Sequence, residues 1–204
     1  MYSRPSFKMT EQQCFKFLGS HFLGQLITST NGYIIQTYVP FIIDKENSCL
    51  YGHIAKQNKQ VEALNAADDL IVTFLGEDAY ISPSWYQSTE QVPTWNYQAV
   101  EIKGKAQLLD QQGTLFVVDR LSQIHESQFT DPWLIGKLSE NKINAMLKAI
   151  VGFRIEITEI KGHSKMSQNK DVQDIQGVID GLLSQQDSAS HRVAEIMQKG
   201  KTNE

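Results

Sequence analysis

Short β-strand patterns separated by turn residues fill the first half of the chain and limit what it can fold into. Asn31-Gly32 is a strong hairpin signal, because both central positions of a tight turn accept positive φ there, and it joins strand patterns over residues 22–29 and 33–43. About six such strands follow one another. Six or more mostly antiparallel strands in one small domain need closure to remove exposed edges. We therefore predict a mainly β fold with helical additions (α+β), most economically a barrel.

Two later strand patterns also predict which faces of the strands are buried. Residues 70–75 form a continuous apolar run, typical of a strand covered on both faces, and residues 76–78 are expected to turn. Residues 100–108 alternate between apolar and charged or polar side chains, and Gly104 permits a bulge or a close backbone approach. A last strand is predicted around residues 153–158.

Helices are predicted where capping residues precede helical spacing. Thr10 and Gln13 form a capping box, and Asn58 and Ser139 are candidate caps of two further helices. After a polar loop over residues 163–171, two terminal helices are expected, the first weakened by Gly177 and Gly181. We divide the chain into residues 1–162, a barrel with inserted helices, and residues 163–204, which pack on the barrel or on a dimer.

Composition limits the class of protein. A formal net charge of −4 argues against a broadly nucleic-acid-binding surface. The two cysteines, Cys14 and Cys49, are far apart in apolar segments, so we expect reduced, buried thiols in a cytoplasmic protein rather than a disulfide. The chain shows neither an apolar leader nor a long apolar run, and we expect neither secretion nor a membrane span.

Common catalytic and nucleotide-binding motifs are missing from the sequence. None of the five histidines forms an i,i+4 pair with another histidine, which disfavours a metal site. There is no Gly-x-Ser-x-Gly segment, no Gly-x-Gly-x-x-Gly segment and no Walker sequence. The sequence therefore disfavours a Rossmann or P-loop nucleotide site and carries no local signature of nucleophilic catalysis.

An aromatic stretch over residues 79–97 contains two of the three tryptophans, three of the seven tyrosines and two of the five prolines. Aromatic rings fixed by proline and mixed with serine, threonine and asparagine suit a wall for a flat ligand with polar edges, or for another protein surface. An aromatic loop that closes the core is the equally weighted alternative.

Two polar clusters complete the candidate features. Residues 51–58 lead from a strand end into a helix and include Lys56, and residues 165–170 hold two lysines before another helix. Lysines and free backbone amides attract phosphate, although each cluster also reads as an ordinary solvated loop. None of the four arginines lies in either cluster, so a bound phosphate would depend on lysine, amides and hydroxyls.

Several motifs together resemble the PaiB family, the FMN-binding negative transcriptional regulators. They are Tyr80-Ile-Ser-Pro-Ser-Trp-Tyr86, Val92-Pro-Thr-Trp-Asn-Tyr97, Gly52-His-Ile-Ala-Lys-Gln-Asn58, Ala149-Ile-Val-Gly-Phe-Arg-Ile-Glu-Ile-Thr158, Lys165-Met-Ser-Gln-Asn169, and the opening Met1-Tyr2 with Phe7. They occur in the expected order and span nearly the whole chain. The resemblance implies a split β-barrel of the pyridoxamine-phosphate-oxidase type, built as a homodimer with FMN at the interface.

The same resemblance implies which residues bind FMN. Lys56 is expected near the phosphate; Trp85, Trp95 and Tyr97 line or cover the isoalloxazine; Ser82, Thr94 and Asn96 reach polar edges; Lys165 and Gln168 complete the wall. The full set of expected cofactor-binding residues is His53, Ala55, Lys56, Asn58, Ser82, Trp85, Thr94, Trp95, Asn96, Lys165 and Gln168.

Four positions depart from the family pattern. Tyr38 replaces the usual histidine, Lys56 the usual arginine, Lys59 the usual proline, and Ser164 a common aromatic residue. Lys56 keeps the charge but loses the bidentate geometry of arginine, so these departures bear on FMN affinity more than on the fold.

Three functions follow from the resemblance. The first is a dimeric FMN-binding regulator, with DNA as a partner by resemblance only, since no basic recognition helix is present. The second is a flavin-dependent oxidoreductase using NADH or NADPH, with His53 and Tyr97 as the residues to test. The third, which we rank last, is a haem-handling protein in which His53 or His163 ligates iron.

Overall fold

The chain divides into two compact units, neither of them continuous in sequence. The computed structural model describes residues 1–30, 32–66 and 69–201. Unit 1 comprises Met1–Cys14, Leu75–Val100 and Lys161–Glu204, and unit 2 comprises Phe15–Phe74 and Glu101–Ile160. Each unit is described separately below, and the division at residue 162 stays a prediction.

The described residues contain eight strands and six α-helices. The strands are β1 Lys8–Met9, β2 Leu23–Thr30, β3 Tyr33–Pro40, β4 Ile42–Asp44, β5 Cys49–Ala55, β6 Asp69–Ile81, β7 Thr94–Leu108 and β8 Ile150–Lys165. The α-helices are α1 Glu11–Leu18, α2 Gln60–Asn65, α3 Gln111–Glu126, α4 Glu140–Ala149, α5 Val172–Leu183 and α6 Ser188–Lys201. None of the helices in the described part of the chain is long and apolar enough to cross a membrane.

The strands form one hydrogen-bonded sheet in the order β3-β2-β6-β7-β8-β5-β4, and β1 pairs with β8. β2 and β3 form the expected antiparallel hairpin, with Leu23 opposite Pro40 and Thr30 opposite Tyr33. Gly32 has a φ of +80°, which glycine tolerates without steric cost; Asn31 lies outside the described residues. β5 also runs antiparallel to β8 over residues 49–55. The mainly antiparallel fold is confirmed.

Three strands are longer than the sequence predicts. β6 continues through residues 76–78, so the turn expected there is wrong. β6 lies between β2 and β7 in the sheet, and β2 pairs with its residues 71–73; strand pairing satisfies backbone groups that an irregular segment would leave free. The same strand buries Val72 and Phe74 but leaves Leu75 65% exposed, so full coverage of both faces is also wrong. β7 begins at Thr94, inside the aromatic stretch.

β8 is the third long strand, and it corrects the expected polar loop. It extends to Lys165, so His163, Ser164 and Lys165 are strand residues. β1 pairs with this end of β8, placing Lys8 opposite His163. The pairing partner is two residues long and distant in sequence, which is why local patterning did not indicate it.

The predicted caps at Thr10 and Ser139 are confirmed, whereas the N-cap of α2 is Lys59 and not the predicted Asn58. The Thr10 amide donates to Gln13 Oε1 at 2.7 Å, and the Gln13 amide donates to Thr10 Oγ1 at 3.2 Å. Ser139 Oγ accepts from the Lys142 amide, and Asn58 Oδ1 accepts from the Gln60 amide. Both cysteines are free and buried.

The core of unit 2 is built on aromatic side chains. Phe41 makes edge contacts with Phe74 and Phe153 at centroid distances of 5.7 and 6.1 Å. The predicted close approach at Gly104 is confirmed, because a Cβ there would overlap the carbonyl oxygen of Glu156. These contacts fix β5, β7 and β8 of unit 2 where the Gly52–Asn58 segment emerges.

The core of unit 1 lies between α5, α6 and the strand residues near Ile81. Its buried side chains are Ala79, Ile81, Tyr86, Met166, Val178, Ile179, Leu182, Val193, Ala194 and Met197. Trp85 packs against this cluster, and a Cβ on Gly181 would overlap its indole ring. The two helical glycines therefore make room for Trp85 rather than merely weakening α5.

Candidate functional site

In unit 2 the candidate residues lie where β5 ends. His53 is half-buried, and its Nδ1 is buried with no hydrogen-bond partner among the described residues. Burial lowers the pKa of His53, so its imidazole is neutral at pH 7. A buried polar atom without a partner is rare in proteins and often marks the place of a ligand.

Lys56 lies three residues after His53 and is exposed. Its backbone amide donates to Ala149 O at 2.9 Å, which fixes the main chain, while within the described ranges its ammonium group makes no hydrogen bond or ion pair. Ala55 is exposed beside it. Lys56 is therefore free to bind an anion.

Asn58 serves the local structure of the same segment. Its Nδ2 donates to Thr37 Oγ1 at 2.9 Å, and its Oδ1 accepts from the Gln60 amide at 2.9 Å. The side chain thus ties the end of β5 to β3 and to the start of α2. With both polar atoms engaged, Asn58 positions Lys56 and His53.

In unit 1 the candidate residues surround a pocket of about 430 Å³. Volumes of this size are ordinary for small-molecule sites. The lining combines aromatic rings, cations and amides: Tyr2, Arg4, Phe7, Tyr86, Gln91, Val92, Thr94, Tyr97, His163, Lys165, Ser167, Asn169 and Lys170. Of the expected cofactor-binding residues, this pocket brings together Thr94 and Lys165.

Lys165 is held in place at the end of β8. Its Nζ donates to Thr94 Oγ1 and, at 2.6 Å, to the carbonyl oxygen of Trp95. Burial lowers the pKa of Lys165, and the positive charges of Lys170 and Arg4 lower it further. The mutual repulsion of these cations means that an anion in the pocket would relieve an existing electrostatic cost.

Lys170 and Tyr86 form another part of the pocket lining. Lys170 Nζ donates to Gln91 Oε1 at 2.6 Å and lies 5.1 Å from the centroid of the Tyr86 ring. Burial raises the pKa of Tyr86, so its hydroxyl stays protonated at neutral pH. A cation over an aromatic face is a favourable contact that fixes the ring.

His163 is the most buried titratable group of the pocket, with 5% of its surface exposed. Its ring stacks on Tyr97 at 4.8 Å and 20°, and its Nδ1 lies 2.8 Å from Ser3 Oγ. Burial, followed by the charge of Lys165, lowers its pKa. Its Nε2 is buried and lacks a hydrogen-bond partner in the described part of the chain.

Three of the expected residues have structural contacts within unit 1. Asn96 is fully buried and donates through Nδ2 to Ser167 Oγ at 3.0 Å. Ser82 Oγ accepts from the Ser84 amide at 3.2 Å, capping a single helical turn. Gln168 Nε2 donates to Ser6 O at 3.1 Å, tying the chain start to the end of β8.

The two tryptophans differ in surroundings. Trp85 packs against Gly177 and Gly181 of α5, whereas Trp95 is largely exposed and makes an edge contact with Tyr80 at 6.0 Å. Neither lines the pocket. Their assignment to the flavin wall stays a prediction.

Sequence reasoning missed Tyr2, Arg4 and His163 as pocket residues. Tyr2 belongs to the opening motif, but Arg4 lies outside both polar clusters. The pairing of β1 with β8 brings the chain start beside His163. Their proximity depends on this strand pairing, which has no local signature in the sequence.

The residues present fit FMN, which needs cationic or amide contacts for its phosphate and polar contacts for the ring edge. In unit 2, Lys56 has a free ammonium group and His53 an unpaired buried nitrogen. No group of three or more potential metal-binding side chains occurs within the described residues.

Comparisons with known proteins identify the family. Residues 1–159 match the family model described as "Putative FMN-binding domain". The chain is 35% identical over 201 residues to the protease synthase and sporulation protein PAI 2 of Bacillus subtilis, covering 97% of each chain.

Solved structures share the fold at low identity. The flavocytochrome Anf3 from Azotobacter vinelandii matches with a TM-score of 0.55 and 17% identity, over 76% of this chain and 67% of that one. The FAD and heme binding protein from Mycobacterium smegmatis matches with a TM-score of 0.56 and 11% identity, over 81% and 76%. The split-barrel fold class is thus confirmed. The chain belongs to the FMN-binding family that the matched model describes, the PaiB family whose motifs it carries, and its cofactor is FMN.

Proposed function

We propose that this chain is a homodimeric, cytoplasmic FMN-binding regulator of the PaiB type, in which Lys56 contacts the FMN phosphate. The observation that carries the proposal is the end of β5, where Lys56, whose ammonium group is unengaged, follows three residues after His53, whose Nδ1 is buried without a partner among the described residues. FMN has a dianionic phosphate, and a positioned lysine binds it as a point charge. Two buried free thiols agree with a reducing compartment.

The homodimer is supported by the resemblance and by an apolar strand at one end of the strand order. β3 pairs with β2 alone in that order, and it exposes Tyr33, Ile34 and Tyr38, with Ile34 77% exposed. A long apolar edge strand is a surface that proteins usually cover. Light scattering coupled to size exclusion at low concentration tests the dimer; a monomer that retains FMN would contradict it.

A regulatory role is supported by the relative named for sporulation and protease synthesis. The basic terminal helix α6 offers little for direct DNA binding, since Arg192 already pairs with Glu77 at 2.7 Å. We therefore favour indirect regulation in response to the flavin. Retention of DNA that is sequence-selective and weakens with salt would show direct binding instead.

The first experiment is a spectrum of the natively purified protein, followed by titration with FMN. We expect flavin absorbance and a single saturable site per protomer. Colourless protein that does not take up FMN would contradict the proposal, and a haem absorbance band would favour the haem-handling alternative.

An oxidoreductase is the second candidate, favoured by His53. Its buried imidazole is neutral because burial lowers its pKa, and its Nδ1 is unpaired, so it can accept or donate a proton. Bound FMN would supply the electron-accepting chemistry. Turnover of NADH or NADPH with a free acceptor, lost in His53→Phe while FMN stays bound, would support this candidate.

A further inference from the structure

The pocket of unit 1 has a cationic lining without a matching acid. Arg4, Lys165 and Lys170 line it, and among the described lining residues there is no aspartate or glutamate. The hydrogen bond from the Ser88 side chain, and to a smaller extent the charge of Lys170, lowers the pKa of Asp174, but this carboxylate does not line the pocket, and it already accepts from the Gln87 and Ser88 amides. The pocket's positive charge is left for a ligand.

These cations retain hydrogen-bonding capacity. An ammonium group has three donors. Lys165 uses two, to Thr94 and Trp95, and Lys170 uses one, to Gln91. The guanidinium of Arg4 makes no hydrogen bond or ion pair within the described ranges. An acceptor-rich group can therefore bind without displacing any of these contacts.

His163 supplies a hydrogen-bond acceptor, in contrast to the three cations, which are donors. His163 Nδ1 lies 2.8 Å from Ser3 Oγ, which also lies 3.3 Å from Arg4 O. We assign the proton of the neutral imidazole to Nδ1, which leaves the lone pair on Nε2, a buried nitrogen without a partner among the described residues. An unpaired buried acceptor is unfavourable, and an O–H or N–H of a ligand would offset that cost.

Between these groups the walls are flat and apolar. Tyr97 is stacked against His163, Tyr86 is held under Lys170, and Phe7 makes an edge contact with the imidazole at 5.7 Å. Rings fixed in this way suit a planar ligand, because little side-chain freedom remains to be lost on binding.

We propose that the pocket of unit 1 binds a small aromatic acid other than FMN: its anionic group on Arg4, Lys165 and Lys170, its ring against the tyrosines, and an O–H or N–H donated to His163. This rests on the proposed function only in placing the FMN phosphate at Lys56, in unit 2. The ligand would be the substrate or the effector to which the flavoprotein responds.

Calorimetric titration of the FMN-loaded protein with 4-hydroxybenzoate tests the proposal. The matched neutral probe is 4-hydroxybenzamide, which lacks the charge; a lost charged hydrogen bond of about 1.5–3 kcal/mol corresponds to at least tenfold weaker binding. Arg4→Gln and Lys170→Gln should each raise the Kd for the acid about tenfold. Lys8→Gln removes an exposed unit 1 cation that does not line the pocket, and it should leave the Kd unchanged.

The role of His163 is tested by comparing 4-hydroxybenzoate with benzoate. In the wild type the hydroxyl should tighten binding by several-fold, since a neutral hydrogen bond contributes about 0.5–1.5 kcal/mol. In His163→Phe the two acids should bind equally, whatever the absolute affinity. A hydroxyl preference that persists in this variant would show that Nε2 does not contact the ligand.

Flavin absorbance, followed in the same samples, separates this inference from the proposed function. If Arg4→Gln and Lys170→Gln weaken binding of the acid while FMN stays bound, the result supports both proposals. If the acid and the amide bind equally, or neither binds at millimolar concentration, the inference is wrong while the FMN proposal stands. If Arg4→Gln and Lys170→Gln release FMN as well, the pocket belongs to the flavin and the inference is again wrong.

Discussion

The indole ring of Trp85 lies directly against the backbone of Gly181 in α5. A Cβ built on Gly181 would overlap indole Cγ and Cδ2 and lie 2.7 Å from Cε2, and one on Gly177 would overlap the Trp85 carbonyl oxygen. Glycine inside a helix costs about 1 kcal/mol relative to alanine. α5 therefore gives up helical stability so that Trp85 can pack in unit 1.

Gly181→Ala should destabilise the protein despite the better helix propensity of alanine. Overpacking against a fixed ring costs about 1–3 kcal/mol, which exceeds or cancels the gain of about 1 kcal/mol. The free energy of unfolding in urea measures the balance. Gly200→Ala is the control, because nothing lies within 4 Å of its Cβ position in α6, and it should be neutral or stabilising. Equal stabilisation by both changes would contradict the packing argument.

Asp174→Asn should lower the urea midpoint at pH 7. The hydrogen bond from the Ser88 side chain, followed by those from the backbone, lowers the pKa of Asp174. Its folded pKa thus lies below the unfolded value of about 3.9. The stabilisation is present above the unfolded pKa and is lost as the pH falls through the folded pKa.

The test is therefore a comparison across pH. The gap in urea midpoint between wild type and Asp174→Asn should be full at pH 7 and shrink below about pH 4, where Asp174 becomes protonated. Asp180→Asn, on the exposed side of the same helix, should show little effect at either pH. A gap that stays constant down to the acid transition would mean that the carboxylate charge is not the stabilising feature.

Local features of this chain were predictable because they depend on neighbours in sequence. The capping box joins Thr10 and Gln13, three residues apart, and both of its hydrogen bonds form. The burial of Val100 and Ile102 follows from strand alternation. In each case the physical cause lies within a few residues, so a single sequence contains it.

The pocket of unit 1 was not predictable in the same way. Arg4 and His163 are 159 positions apart and meet through the two-residue strand β1. Likewise, nothing near Gly181 in sequence indicates that Trp85 packs there, and the turn-like residues 76–78 lie within β6, which neighbours both β2 and β7 in the sheet. Resemblance identified the family motifs, but tertiary pairing decides which of their side chains share a pocket.

Thr114→Val should destabilise unit 2 by about 1–3 kcal/mol, because it leaves the buried amide of Gly152 without an acceptor. Thr114 is buried, and its Oγ1 accepts from the Gly152 amide at 2.9 Å and donates to Asp110 O at 2.8 Å. Valine keeps the shape and removes both bonds. Thr114→Ser keeps the hydroxyl and should recover most of the loss in urea denaturation. A Thr114→Val variant as stable as wild type would show that the hydrogen bonds of Thr114 contribute little.

Lys56→Ala should weaken FMN binding at least tenfold, since a hydrogen bond to a charged group contributes about 1.5–3 kcal/mol. Lys56→Arg should bind FMN as tightly as wild type or tighter, because a guanidinium contacts phosphate through two donors. Titration followed by quenching of flavin fluorescence gives each Kd.

Lys59→Ala provides the matched control for Lys56. Lys59 is exposed three residues further on, so its removal changes the net charge equally and tests long-range attraction alone. An equal loss of FMN affinity in Lys56→Ala and Lys59→Ala would show that Lys56 acts only through long-range attraction, which salt screens. An unchanged Kd in Lys56→Ala would remove this residue from the phosphate site. A loss confined to Lys56 and reversed by arginine instead requires direct contact with the phosphate, because only contact geometry distinguishes two neighbouring lysines of equal charge.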